Sequence, residues 1–116
     1  GLAAAAYGAQ VVFTEKDPRA FRLLHENVAD FIRRTARRQK MPCVRRLDVC
    51  ATADVEALSL ELGPFDVVLC SDVVYEHQLL RPLLSAAAAL LRHQGKLEKR
   101  NSPQLVLAVE LRPCGV

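Results

Sequence analysis

Four short apolar runs, at residues 10–14, 43–47, 65–70 and 104–111, are separated by stretches of helical pattern, and this alternation limits what the chain can become. Strands that alternate with helices do not pair as hairpins. Each returns over the sheet by a crossover, which makes neighbouring strands parallel and lays helices on the sheet faces. The order read from the pattern is α-β-α-β-α-β-α-β, so the expected fold class is α/β with a mostly parallel sheet flanked by helices.

Local signals place the elements. Residues 2–7 read as the tail of a helix stopped by Gly8 near a C′ position. The run Val11, Val12, Phe13 is short and apolar and ends at Thr14 and Glu15. Lys16 and Asp17 then turn into a helix, with Asp17 as N-cap and Pro18 at the first helical position. Phe21, Leu24, Val28, Phe31 and Ile32 recur at helical spacing and carry that helix towards the basic run before Pro42. A short helix is expected over 53–62, closed by Gly63 and Pro64. A longer one is expected over 79–92, with Pro82 accommodated in its first turn.

Size and composition restrict the core. A chain of 116 residues has room for one domain. With four Phe, two Tyr and no Trp, the interior must come from Ala, Leu and Val, which bury modest area per side chain and imply low stability per residue. The formal charge of +3 gathers at Arg33, Arg34, Arg37, Arg38 and Lys40. This run reads as a solvated helix face and the loop after it, or else as a contact surface for an acidic partner; no aromatics interleave with it, which argues against nucleic acid as a partner. Cys43, Cys50, Cys70 and Cys114 form no C-x-x-C pair, a pattern of reduced thiols that points to a cytoplasmic or nuclear protein with no metal site. The Leu/Ala-rich stretch 79–91 holds Arg81 and Pro82 and is too short to span a bilayer, so no membrane partner is expected.

In open parallel sheets, ligands bind beyond the carboxyl ends of the strands. The residues in those places are Glu15, Asp48, the segment 71–76, and Glu110 to Arg112. A rim of acids suits hydroxyls, amines or a cationic ligand. Glu15 stands where a carboxylate can accept both hydroxyl protons of a ribose; an acid there also serves as an ordinary turn residue. Asp48 has the same two readings. Asp72-x-x-Tyr75 follows the strongest strand and offers an acceptor for an amine and an aromatic face for a cation; the same pair also reads as an Asp N-cap and a Tyr that packs. His77 has no nucleophile or orienting acid beside it and reads as a surface histidine.

Together these residues resemble the class I, seven-β-strand S-adenosylmethionine-dependent methyltransferases, a Rossmann-like family, and within it the protein-lysine methyltransferase group. The resemblance is carried by Gly1, Leu2, Ala3 and Ala4 as the end of a glycine loop, by residues 11–15, and by Glu26, Asn27 and Val28. It continues through Leu47, Asp48 and Val49, the stretch 65–75 with its Asp72-x-x-Tyr75 motif, and residues 105–112. It covers nearly the whole chain, and it is the order and spacing of the motifs that make it specific.

The resemblance implies S-adenosylmethionine as cofactor and a protein lysine as acceptor. Gly1 would lie beside the methionine moiety, with Ser71 also at the cofactor. Glu15 would hold the ribose, Asp48 and Val49 would border the adenine, and Asp72 and Tyr75 would line the mouth where the lysine meets the methyl group. The family's first strand, most of its glycine loop and its last hairpin have no counterpart here. The expectation is therefore a partial methyltransferase domain over 1–116, active within a longer parent chain. The strands at 10–14 and 65–70 would lose the neighbour they share. Two other readings stand beside it: a non-catalytic interaction module of the same ancestry that binds no cofactor, and half of a nicotinamide-dependent oxidoreductase, which accounts for Glu15 but poorly for Asp72-x-x-Tyr75.

Overall fold

The structure, a computed structural model, describes residues 2–35, 41–71, 77–91 and 103–108. The elements follow in the order α1 (Leu2–Ala6), β1 (Val12–Glu15), α2 (Pro18–Arg34), β2 (Cys43–Arg46), α3 (Thr52–Leu62), β3 (Val67–Ser71), α4 (His77–Leu90) and β4 (Gln104–Ala108). The chain is thus mixed α/β in the alternation that its sequence pattern predicts. It divides into two compact units, Gly1–Asp48 and Val49–Val116.

The first unit is a β-α-β crossover. β1 and β2 pair in parallel, with Val12 opposite Cys43 and Glu15 opposite Arg46. The loop between β1 and α2 is set by Asp17, whose Oδ1 accepts the N–H groups of Arg19 at 2.8 Å and Ala20 at 3.4 Å. Pro18 follows at the first helical position, where a missing N–H costs nothing. α2 presents Phe21, Leu24, Val28, Phe31 and Ile32 to the strands, and Val28 is its fully buried residue. Its last turn carries Arg33 and Arg34, both paired to Asp30 at 3.4 and 3.0 Å, cations placed where the helix dipole favours them. Gly8 ends α1 with φ +94°, a left-handed conformation that glycine adopts without penalty.

The second unit packs α3 against α4 and holds the parallel pair β3–β4, whose register sets Val67 opposite Gln104 and Leu69 opposite Val106. Its core is Val55, Leu58, Cys70, Leu83, Ala86, Ala87 and Leu90. With Ala5, Val28 and Leu47 of the first unit, the buried apolar set contains no aromatic side chain among the described residues. The Phe65 N–H donates to the Leu90 carbonyl at 2.9 Å, fastening the approach to β3 onto the end of α4.

Two local readings are corrected. α4 starts at His77 rather than at residue 79, so Pro82 falls in the second turn, not the first. There it removes the N–H that would reach the Gln78 carbonyl. The helix continues because Leu83, Ala86, Ala87 and Leu90 bury one side of it, and packing outweighs one lost bond. α3 starts at Thr52 without a side-chain cap at Ala51, and it has Asp54 in its first turn.

Among the described residues the strands form two two-stranded parallel sheets, one in each unit, and no strand is shared by β1 and β3. The carbonyls of Val11 and Glu15 accept the N–H groups of Cys43 and Leu47, so the odd residues of β1 face β2 and the even ones, Val12 and Thr14, turn their polar backbone groups to the other edge. By the same alternation the Asp66 carbonyl faces β4, accepting the Gln104 N–H at 3.0 Å, and Val67 and Leu69 turn theirs away. Neither β1 nor β3 has a second strand partner among the described residues.

Candidate functional site

A turn after a strand must satisfy the first N–H groups of the helix that follows, and short acidic side chains do this well. Here two acids share the work. The Glu15 Oε1 accepts the N–H groups of Lys16 and Asp17, each at 3.1 Å, while Asp17 caps α2. Glu15 is half-buried at the carboxyl end of β1, and its own carbonyl accepts the Leu47 N–H at 3.1 Å. That bond brings the end of β2 alongside, so Asp48 emerges beside the Glu15–Lys16 turn.

The pairing is closed by cations. Lys16 Nζ lies 3.6 Å from Asp48 Oδ2, with the lysine side chain 70% and the aspartate 31% exposed. Arg46 Nη2 donates to the Lys16 carbonyl at 3.4 Å. The rim of β1–β2 therefore holds three carboxylates, Glu15, Asp17 and Asp48, against two cations, Lys16 and Arg46. Asp17 is committed to the helix, and one oxygen of Glu15 is committed to the turn. With Oε1 held by two N–H groups, the carboxylate plane is fixed and Oε2 has no hydrogen-bond partner among the described residues. A carboxylate oriented this way can accept hydrogen bonds from a vicinal diol or an amine.

Of the residues that the sequence singles out, Glu15 and Asp48 come together in the first unit. Val49 follows directly and is half-buried. Ser71 closes β3. Gly1, Asp72 and Tyr75 lie outside the described residues, as do Glu110 and Arg112. Sequence reasoning missed Lys16. The signal is its position, directly after a strand-end acid in a crossover whose second strand is also followed by an acid: a parallel register sets those two ends side by side, and a long cation after the first reaches the acid after the second.

Among the described residues, no group of three or more His, Cys, Asp or Glu side chains is placed to hold a metal ion. Among the described residues no disulfide joins Cys43, Cys50 or Cys70, which are half-buried, exposed and buried in turn. Burial raises the Cys70 thiol above its ordinary value of 9.0. No helix among the described residues is long and apolar enough to cross a membrane. No protein-family model matches the chain, and no curated protein matches it.

Proposed function

We propose that the chain is part of a class I S-adenosylmethionine-dependent methyltransferase domain, one that methylates a protein lysine within a longer parent chain. The observation that carries this reading is the pair Glu15 and Asp48. Two acids stand at the carboxyl ends of neighbouring parallel strands, one of them with its carboxylate already oriented by backbone N–H groups. That is where an open α/β sheet receives a nucleoside, and a preset acceptor suits a ribose diol.

In this reading Glu15 accepts the ribose hydroxyls, and Asp48 and Val49 border the adenine. Gly1 and Ser71 belong to the methionine end. Bound S-adenosylmethionine supplies a methyl group made electrophilic by a sulfonium. Asp72 and Tyr75 receive the lysine side chain: Asp72 accepts a hydrogen bond from the amine and Tyr75 lies against it, so that the neutral amine waits in line. A narrow mouth that strips water from a lysine also favours its neutral form. That β1 and β3 each have one strand partner among the described residues supports a longer parent chain, because a parallel strand paired on one side leaves backbone groups that a further strand satisfies.

A second reading has its own observation. Val67 and Leu69 on β3 and Val106 on β4 share a sheet face and are 47%, 59% and 47% exposed. An apolar face beside an open edge is the surface of an interaction module that binds no cofactor. Equilibrium dialysis of labelled S-adenosylmethionine and of its demethylated product decides between them, using this chain and a form with a further strand and glycine loop joined ahead of it. Binding by the longer form supports the methyltransferase domain. Binding by neither form overturns it and leaves the interaction module.

A further inference from the structure

The side of α2 away from buried Val28 carries Arg19, Arg22, Glu26, Asp30, Arg33 and Arg34. At its start the cations stand against the helix dipole. Arg19 lies in the first turn, which holds no acid, and a cation there is disfavoured. Arg19 and Arg22 make no ion pair among the described residues. Asp17, just ahead of them, commits Oδ1 to the N–H groups of Arg19 and Ala20. At the other end Arg33 and Arg34 share the single carboxylate of Asp30, at 3.4 and 3.0 Å, and their side chains are 75% and 79% exposed. One acid between two guanidinium groups leaves positive charge there. Cations set against a local preference, with no folding gain beside them, point to a use outside the fold. The wider charge has the same sign: the first unit holds ten Lys and Arg against five Asp and Glu, the second six against eight, so a negative partner is drawn to the first.

We infer that the outer side of α2 docks an acidic segment of a partner protein, with one pair of carboxylates on Arg19 and Arg22 and a second pair on Arg33 and Arg34. All four cations are arginines, whose planar fork meets a carboxylate through two N–H groups. The two pairs are centred about 20 Å apart along the helix, a span that an extended chain covers in about six residues. Glu26 lies between them and makes no ion pair among the described residues, so the middle of the segment is uncharged. Leu23, 59% exposed, offers that middle an apolar contact. A nucleic acid fits worse. Its phosphates run on without a gap and would meet Glu26, and the aromatic rings of α2, Phe21 and Phe31, are half-buried rather than presented for stacking. None of these residues belongs to the rim of β1–β2, and docking here is independent of what that rim binds.

The test is an NMR titration of the isotope-labelled full chain with a short peptide that has a Glu pair at each end and uncharged residues, one of them Leu, between. A control peptide of the same composition gathers its Glu residues in the centre. Exposed ion pairs are individually weak, so the split peptide should bind at low salt with a Kd on the order of a millimolar. It should move the backbone amide signals of Arg19, Arg22, Arg33 and Arg34, and the control peptide should bind more weakly. Arg19→Gln combined with Arg22→Gln should weaken binding about fivefold and leave the thermal midpoint level or higher, because a cation has left the first turn. Glu26→Gln should strengthen binding, and added salt should weaken it. α2 signals that stay in place at millimolar peptide, equal affinity for the two peptides, or equal affinity of wild type and R19Q/R22Q overturns the proposal. So does a lower midpoint in R19Q/R22Q, which a structural role for these cations requires. Tighter binding of an oligothymidylate of the same charge gives the face to nucleic acid instead. Self-association in sedimentation that R19Q/R22Q abolishes gives it to a second copy of the chain, and either result overturns the acidic segment.

Discussion

The Leu47 N–H donates to the Glu15 carbonyl at 3.1 Å, and this one ladder bond brings Asp48 next to the turn that Glu15 begins. The two acids are 33 positions apart in the chain, yet the parallel register leaves them at adjacent strand ends. That juxtaposition depends on the register, because a shift by one residue would turn one acid to the opposite face.

Glu15→Gln tests the acceptor without disturbing the turn. The amide oxygen still accepts from the Lys16 and Asp17 N–H groups, so the unfolding midpoint should stay where it is. On the proposed reading the charge offered to a ribose is lost, and hydrogen bonds to charged groups are worth about 1.5–3 kcal/mol. Calorimetric titration of the longer form with S-adenosylmethionine should show affinity falling by about tenfold or more. Glu15→Ala should lose affinity equally and stability as well.

Asp17→Ala should cost about 1 kcal/mol, measured by urea unfolding. It removes the acceptor for Arg19 and Ala20 at the start of α2. Pro18 keeps its preset φ and limits the damage to the cap. Asp17→Asn retains an oxygen in the same place and should fall within a few tenths of a kcal/mol of wild type.

These caps and turns were legible in the sequence because each is a local event. Asp17 before Pro18, and Gly8 after a small-residue helix, announce themselves within four residues, and the order of the eight elements follows from hydrophobic period alone. The start of α4 was not legible. Proline reads as an early-turn residue, and the burial of Leu83, Ala86, Ala87 and Leu90 that carries the helix across Pro82 is a tertiary effect. Lys16 was hidden for a related reason: its partner Asp48 is adjacent only once β1 and β2 are in register. Which strands pair, β1 with β2 and β3 with β4, depends on long-range partners that no short-range pattern states, although the missing neighbour of β1 and β3 was expected from the resemblance.

Two glycines should respond differently to alanine. At Gly8 the backbone sits at φ +94° and a Cβ meets nothing within 4 Å, so the cost is conformational alone, about 1 kcal/mol. At Gly63 the backbone is ordinary, φ −89° and ψ −174°, but a Cβ lies 2.8 Å from the Ser59 carbonyl oxygen and 3.2 Å from its Cα. That oxygen already accepts the Gly63 N–H at 3.0 Å and belongs to the last turn of α3, so it cannot yield cheaply. Gly63→Ala should cost about 1–3 kcal/mol, more than Gly8→Ala, in parallel urea titrations.

The cysteines give a pH prediction with a definite sign. Cys70 is 8% exposed among the apolar residues of the second unit, and burial raises its thiol above the ordinary 9.0. A raised value means that the folded chain keeps the proton at a pH where the unfolded chain releases it. The Cys70 contribution is therefore fully present below the unfolded value and declines as pH rises through about 9. The difference in urea midpoint between wild type and Cys70→Ala should be constant from neutral pH to about 8 and shrink above it, since alanine lacks the ionisation that draws the unfolded state forward. Thiol reactivity checks the same burial independently. Iodoacetamide followed by peptide mapping of the native chain should label exposed Cys50 first, half-buried Cys43 next and Cys70 last, and urea should abolish that order. Prompt labelling of Cys70 in native protein would place β3 outside the core that its burial describes.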